Sequence, residues 1–584
     1  MEFVSFRKEL TERVVQAHPT AESTRGAAHI GPSTDKAACS LNLGIGHLSD
    51  PPDLPGLARQ SLLHSSMTST IVALCGRMLT VPSTPDFCEH LLFLGTERFP
   101  DEAEYKAYLS ANAGSSNAST SLDETNFFFD CTPQGFAGAL SRHSQFFVKP
   151  LFDKDCTTRE LNAVDSEFRR NLALDSRRLF QLGKHTSNRE EGSVYWKFGT
   201  GSKDTLGKVN VRERLLEWYR EHYSANLMKL SMISTASLDE LERLTLLEYS
   251  AIPNQNLTAP LFSVSPLTTN ELDVSCLFHF LPCCPLTLYS QKLISYRTIK
   301  DSPQLRIEFP FPDSRHSFAQ KPSNYISHLV GDESAGSILS LLKQRNLATS
   351  LSASSNSGAA GFDFFRISIS LTAEGLVQQS TVLQIVFAYL ELLRNQPAEE
   401  WIFNETQQLG KIAWRFKEKS QPSPTVRSIC SALHNPVPRE RLLVSPYYAT
   451  EFGPELVRDC LAGLTKERCR VFIGSNVPLD ERGWDQVEEY YGTEYRIDPL
   501  ALDGKDYSSM LALPKPNLFI PTNLELVNGG KTEGVEVLTR PLLVKQIPSS
   551  TVWWKGDDQW FVPRATAYFM LTTSVFHTSS SIAR

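Results

Sequence analysis

The sequence predicts an α+β protein made of two homologous domains, each an antiparallel sheet with helices packed on it. Three observations predict it. Runs with a period of two alternate with runs of helical period along most of the 584 residues. Two distant blocks, YLSANAGSSNASTSLDETNFFFDCTPQGF and NLATSLSASSNSGAAGFDFFRISISLTAEGL, share one pattern. Each has a small-residue stretch, a Phe-rich strand, then T-x-x-G-[FL] opening a helix, at Thr132/Gly135 and Thr372/Gly375. The composition, 41% hydrophobic and 21% charged, excludes a mainly disordered, collagen-like or coiled-coil chain.

The elements follow in order. Residues 1–34 carry no assigned element; MEFVSFRKELTERVV is amphipathic and lacks the apolar stretch of a secretory signal. LNLGIGHL (41–48) alternates like a strand, and SDPPDLPG (49–56) is a turn. Residues 84–95 read as a short helix, with Pro85 at its start and Gly95 at its end. Helical patterns cover 101–113, 134–149 and 157–184, the longest. A small-residue strand and NFFFDC fill 114–131, and MKLSMIST (228–235) is a strand.

In the second block, QLRIEFPF sets Leu305, Ile307, Phe309 and Phe311 on one face of a half-buried strand. Helical patterns cover 323–346 and 373–395, and FFRISISLT (364–372) and CRVFIGS (469–475) are strands. LPKPNLFIPTN (513–523) is extended. The expected layout is a first domain at 35–260, a linker at 261–291, and a second domain at 292–512. A connector at 513–560 and the stub of a third domain at 561–584 follow.

The net charge of −7 argues against nucleic acid as the main partner. No apolar run is long enough to span a membrane. The eleven Cys are scattered, odd in number and without a CxxC pair, which points to a reducing, cytoplasmic location. The sequons at Asn117, Asn256 and Asn404 then carry no weight.

The most informative string is Asp86-Phe87-Cys88-Glu89-His90 on the short helix. Residues three and four apart share a helix face. Glu89 and His90 stand where the general base and a zinc ligand stand in the inverted zinc-peptidase motif H-x-x-E-H, with Asp86 in place of the first His. Asp86 can alternatively be an ordinary first-turn carboxylate, favoured there by the helix dipole. A further carboxylate must come from elsewhere. Glu160 and Glu167, in ELNAVDSE, lie two turns apart on one face of the long helix. Glu160 also fits a capping box with Thr157, and Glu167 a solvated helix position. His47, in GIGHLSD, reads as a core or turn histidine rather than a replacement ligand.

EHLLFLGTERFPDEAEY, AGSSNASTS, ETNFFFD, LNAVDSE, RRLFQL and KFGTG resemble the insulysin/pitrilysin family of zinc metallopeptidases, from about residue 35 to 560 with interruptions. The resemblance implies Zn²⁺, one ion per catalytic domain, with His90 and Glu167 as ligands. It implies Glu89 as general base and Glu160 as a carboxylate supporting the ligands from behind. Ser116, Asn117 and Ala118 would pair with an extended substrate backbone. The implied activity is endopeptidase action on short unfolded peptides. Pairing, as a homodimer or as half-sized subunits, is also implied. The second domain lacks the E-H pair, since His328 is followed by LVGDES, so it is expected to be non-catalytic. The family's surface around Gly336 and Leu351–Ala353 anchors a substrate N-terminus; here it reads LSASS rather than a Gly-rich run.

Two departures stand out. The chain ends just after the connector, where the larger family members continue into a second half. The family's PPxxxGLAHFCEH is interrupted after Gly56-Leu57-Ala58 by RQSLLHSSMTSTIVALCGRMLTVPSTPD. Residues 59–86 read as a translated intron: if Arg59 is CGT and Pro85-Asp86 is CCA-GAC or CCA-GAT, its removal restores HFCEH in frame. Residues 274–291 (VSCLFHFLPCCPLTLYSQ) read the same way. The alternative to an enzyme is a non-catalytic peptidase-fold subunit or peptide-binding module.

Overall fold

The computed structural model describes residues 2–6, 17–18, 25–30, 35–57, 87–189, 192–207, 210–267, 292–418, 420–525, 540–556 and 562–571. Asp86 and the segments 59–86 and 274–291 lie outside them. The chain divides into two compact units, residues 1–411 with 418–516, and residues 412–417 with 517–584.

The first unit holds two seven-stranded sheets. The first sheet contains β1 (Glu2–Phe6), β2 (Ala17–His18), β3 (Arg25–Ile30), β4 (Ala37–Leu43), β5 (Ser115–Thr120), β6 (Thr125–Cys131) and β7 (Met228–Ser234), in the order β2-β1-β3-β7-β4-β6-β5. Its helices are α1 (Phe87–Leu92), α2 (Glu104–Ala111), α3 (Phe136–Val148), α4 (Lys154–Asn171), α5 (Asp175–His185), α6 (Lys203–Leu206), α7 (Val211–His222) and α8 (Leu238–Tyr249).

The second sheet contains β8 (Lys292–Arg297), β9 (Gln304–Phe311), β10 (Ala348–Ala359), β11 (Phe362–Leu371), β12 (Arg470–Ser475), β13 (Gln486–Val487) and β14 (Glu494–Pro499), in the order β10-β11-β9-β12-β8-β14-β13. Its helices are α9 (Pro322–Val330), α10 (Ile338–Gln344), α11 (Ala373–Val377), α12 (Gln379–Asn395), α13 (Glu400–Arg415), α14 (Pro422–Ala432) and α15 (Pro454–Ala462).

The repeat read from sequence is a repeat of topology. In each sheet the first strand of the motif runs parallel to the last (β3 with β7, β8 with β12), and the remaining pairs of the motif are antiparallel. The sheets are therefore mixed, although antiparallel pairs predominate. Gly135 and Gly375 open equivalent helices because their backbones press on a neighbour. A Cβ would strike Asn112 at the first and the Leu347 carbonyl at the second.

Strand alternation decides what each face does. Ala37, Cys39, Leu41 and Leu43 of β4 join Phe127, Phe129, Phe136, Phe146 and Phe147 in the first core. Ala38, Ser40 and Asn42 face the other way. In the second sheet Leu305, Ile307, Phe309 and Phe311 line the core with Phe365 and Ile369, and Arg306 and Glu308 face the other way.

Each of these second faces is covered by a helix from the other repeat. Helix α14 lies on β4 and β7. The Cys430 Sγ is 3.2 and 3.0 Å from the carbonyl oxygens of Ser40 and Lys229, and the Arg427 guanidinium sits 4.1 Å over the Phe128 ring. Reciprocally, Leu179 and Leu182 of α5 pack with Ile294, Tyr296 and Phe472 on the second sheet. Arg470 donates to Gly183 O at 2.8 Å.

Several expectations are corrected. The 157–184 helix is broken between Asn171 and Asp175, giving α4 and α5. The 323–346 helix is broken into α9 and α10 around the positive-φ Gly336. The 41–48 strand ends at Leu43, and His47–Ser49 form a 3₁₀ turn. Residues 1–34, left without elements above, supply three strands to the first sheet. In the second unit the described structure is one hairpin, β15 (Leu542–Ile547) with β16 (Ser550–Trp554). Among the described residues no helix is long and apolar enough to cross a membrane.

Candidate active site

The short α1 is anchored by its apolar residues: Phe87, Leu91 and Leu92 are fully buried in the first core. That fixes its orientation and sets His90 against α4. Helix α4 starts at Asp153, whose carboxylate accepts from the backbone N–H of Asp155 and Cys156. Thr157 is therefore inside the helix, and the capping box with Glu160 does not form; the Thr157 hydroxyl donates to Asp153 O instead.

With that start, Glu160, Val164, Glu167 and Asn171 fall on one face of α4. Val164 is fully buried, and Glu167 nearly so. The Glu160 Oε2 bonds the Nδ1 of His90. Burial alone would raise the Glu160 carboxyl, but the bond to His90 and its charge overcome this and hold it below the usual range. A Nδ1–H given to a carboxylate leaves the lone pair on Nε2. That Nε2 is buried and has no hydrogen-bond partner among the described residues.

Glu89 is 1% exposed. Its Oε2 accepts from the Thr120 hydroxyl at 3.4 Å. Thr120 ends β5, and its Oγ1 lies 3.1 Å from that of Thr125, which donates to Ile45 O. Glu89 is thus tied to the end of the sheet's edge strand. Ser116, Asn117 and Ala118 sit on that strand, which among the described residues pairs with β6 alone. On α4, Asn171 Nδ2 lies 3.5 Å from Glu167 Oε1.

Of the residues singled out from sequence, the structure brings Glu89, His90, Glu160 and Glu167 onto the facing helices α1 and α4. It keeps His47 away from them. His47 is fully buried, with Nδ1 2.9 Å from Ser121 O and Nε2 2.6 Å from Lys184 Nζ. Burial and the Lys184 charge hold it well below its ordinary pKa, and burial brings Lys184 down to about 7. Asp86 lies outside the described residues. Sequence reasoning missed Thr120; the only available signal was a polar residue at the end of an edge strand.

A metal fits this site in part. The partnerless Nε2 of His90, with its Nδ1 held by a carboxylate, is the arrangement a histidine ligand needs. Catalytic zinc sites use three protein donors, and among the described residues no group of three or more His, Cys, Asp or Glu is placed to hold an ion.

Residues 84–190 match the family described as Insulinase (Peptidase family M16). Residues 210–409 match the Peptidase M16 inactive domain, and 414–582 the middle or third domain of peptidase M16. The boundary near 410 cuts the second sheet, whose β12–β14 lie beyond it. The chain is 36% identical over 564 residues to the A-factor-processing enzyme of Saccharomyces cerevisiae, covering 94% of this chain and 49% of that protein. It is 36% identical over 550 residues to the insulin-degrading enzyme of Homo sapiens, covering 92% and 49%. The crystal structure of pitrilysin superposes with a TM-score of 0.74 at 25% identity, covering 90% of this chain and 51% of that one. The chain spans about half the length of the relatives it matches.

Proposed function

Because the chain belongs to the insulinase family of peptidases, peptidase family M16, we propose that its first domain is a zinc-dependent metalloendopeptidase domain acting on short unfolded peptides. The observation that carries this reading is the His90–Glu160 pair, with its buried, partnerless Nε2 beside Glu89. His90 and Glu167 hold the ion, one per first domain, with Asp86 as the third donor in place of the family's first His. When bound, zinc polarises the scissile carbonyl and lowers the pKa of a water to about 7.

The chain's own residues do the rest. Glu89 takes the proton of the attacking water and passes it to the leaving amine. Its burial keeps the carboxylate from being solvated away from that task. Thr120 orients it from the strand end. Glu160 fixes the His90 tautomer. Ser116, Asn117 and Ala118 offer backbone groups to an extended peptide, so binding asks little of the peptide's sequence. The seven described cysteines are all free and buried, which supports a cytoplasmic location. Residues 59–86 and 274–291 are translated intron in this reading, and the chain pairs with a second half or copy.

A second reading, a non-catalytic peptide-binding subunit, is favoured by one observation: among the described residues no three donors are placed to hold an ion. Metal content and cleavage separate the two. The peptidase reading expects stoichiometric zinc in the purified chain and chelator-sensitive cleavage of a quenched fluorescent peptide. Peptide binding without zinc overturns it in favour of the second.

A further inference from the structure

Beyond the α1–α4 site, the back of the second sheet holds more positive charge than it neutralises. Ser354, Arg366, Glu308 and Arg470 form one row across β10, β11, β9 and β12. Glu308 spends both oxygens within that row: Oε1 accepts from Arg366 Nε at 2.6 Å, and Oε2 from Arg470 Nε and Nη2 at 3.1 and 2.9 Å. The next row, Ser352, Ser368, Arg306 and Phe472, adds a third guanidinium. Arg306 makes no hydrogen bond or ion pair among the described residues. Burial, and then the charge of Arg366, hold its guanidinium below the ordinary range, yet a guanidinium cannot shed its proton to escape. Three cations therefore share one carboxylate.

The surplus faces a cavity of about 230 Å³, which Arg306 lines with the hydroxyl residues Ser350, Ser352, Ser368 and Ser370. Leu179 of α5 and Phe472 close it, and its described lining holds no Asp or Glu. The Ser350 hydroxyl donates to Ser370 Oγ at 2.9 Å, which leaves the Ser370 proton to give. Pockets for whole small molecules measure roughly 300–1,000 Å³, so this one suits a small ion and a few waters. Charge withdrawn from water is costly unless it is paired. The Arg306 fork can take two oxygens of one oxyanion at once, and the serine hydroxyls supply further donors.

We propose that this cavity is a binding site for a free tetrahedral oxyanion, phosphate or sulfate, held by Arg306 and the hydroxyls of Ser352, Ser368 and Ser370. The site needs neither peptide nor zinc. Its walls come from both repeats, with Leu179 on α5 of the first and the sheet residues from the second. An ion seated there binds only while α5 is docked, and it stabilises that docking by mass action.

Isothermal titration calorimetry of the full chain with inorganic phosphate tests it, in EDTA and at an ionic strength held constant with chloride. One saturable site is expected, for which sulfate competes. Arg306→Gln should weaken binding about 10–100-fold, the worth of a hydrogen bond to a charged group. Arg306→Lys should keep part of the affinity, and Ser368→Ala, which removes no charge, should weaken it less than Arg306→Gln does. Thermal melts read the same site with a different sign. Phosphate should raise the wild-type midpoint saturably, whereas Arg306→Gln should melt higher than wild type without phosphate and gain nothing from it. Glycerol 3-phosphate, which carries an ester arm, should compete more weakly than phosphate. No saturable binding, or binding that Arg306→Gln leaves unchanged, overturns the site. An equal rise in the midpoints of wild type and Arg306→Gln is a general salt effect and also overturns it. Equal competition by glycerol 3-phosphate overturns the assignment to a free ion. The peptidase reading stands or falls separately, since neither readout involves a peptide.

Discussion

In the first sheet the β4 residues turned from the core, Ser40 and Asn42, are uncharged. Ser40 donates to Asn126 Oδ1 at 2.7 Å, and Asn42 and Ser431 both donate to Glu124 at 2.9 Å. In the second sheet the equivalent face carries Arg306, Glu308, Arg366 and Arg470. Both faces are covered by a helix of the other repeat, yet only the first repeat has an E-H pair on its leading helix. The corresponding helix α9 carries His328, whose pKa is lowered by burial. Duplication has kept the frame and divided the side chains: a Glu-His helix facing two carboxylates in one copy, a buried ionic layer in the other.

The sharpest way to break this division is Glu89→Gln. It should lower peptide cleavage by about 10²–10⁴-fold, the usual contribution of a general base, with little change in melting temperature; unchanged kcat would move the chemistry out of the first repeat. Next is Glu308→Gln, which strands Arg366 and Arg470. Breaking a buried ion pair costs about 3–5 kcal/mol, read by urea unfolding.

The wild type has a matching pH signature. Burial would raise Glu308, but Arg366 and Arg470 win and bring it down to about 2. Its stabilisation is then present above the ordinary Glu pKa of about 4.3 and lost as pH falls through about 2. Acid unfolding of Glu308→Gln should lack that component.

Glu160→Gln sharpens the comparison at the metal. The tautomer lock on His90 loosens, and zinc affinity should fall about 10–100-fold in a competition titration, while His328→Ala in the second repeat changes nothing.

The smallest effect belongs to Glu124. Burial first, then the Asp123 charge, raises its pKa. The stability it contributes is present below the unfolded pKa and lost as pH rises through the folded one. Glu124→Gln should therefore gain up to about 1 kcal/mol at pH 7, and the gain should vanish toward pH 4 in thermal melts.

Much of this was legible in the sequence because period and punctuation were strong. The alternation in QLRIEFPF located a strand with the right core face. It also made Arg306 and Glu308 look solvent-exposed, since nothing local announces that α5 of the other repeat lies over them. The break between α4 and α5 falls in LALD, without Gly or Pro, so a continuous helix was the natural reading. Asp153 outcompeted Thr157 for the helix start because its carboxylate reaches two N–H groups. The α1–α4 constellation was legible because Glu89-His90 and Glu160/Glu167 obey helical spacing. The His90–Glu160 bond needs the three-dimensional approach of two helices.

The exchange of α5 and α14 has a further meaning. Each repeat lends the helix that roofs the other, in equivalent places after equivalent long helices, so the two behave as a dimer whose subunits happen to share one polypeptide. A single protease nick between Leu267 and Lys292 should leave two fragments that still travel together through a sizing column, whereas either fragment made alone should be insoluble for want of its roof.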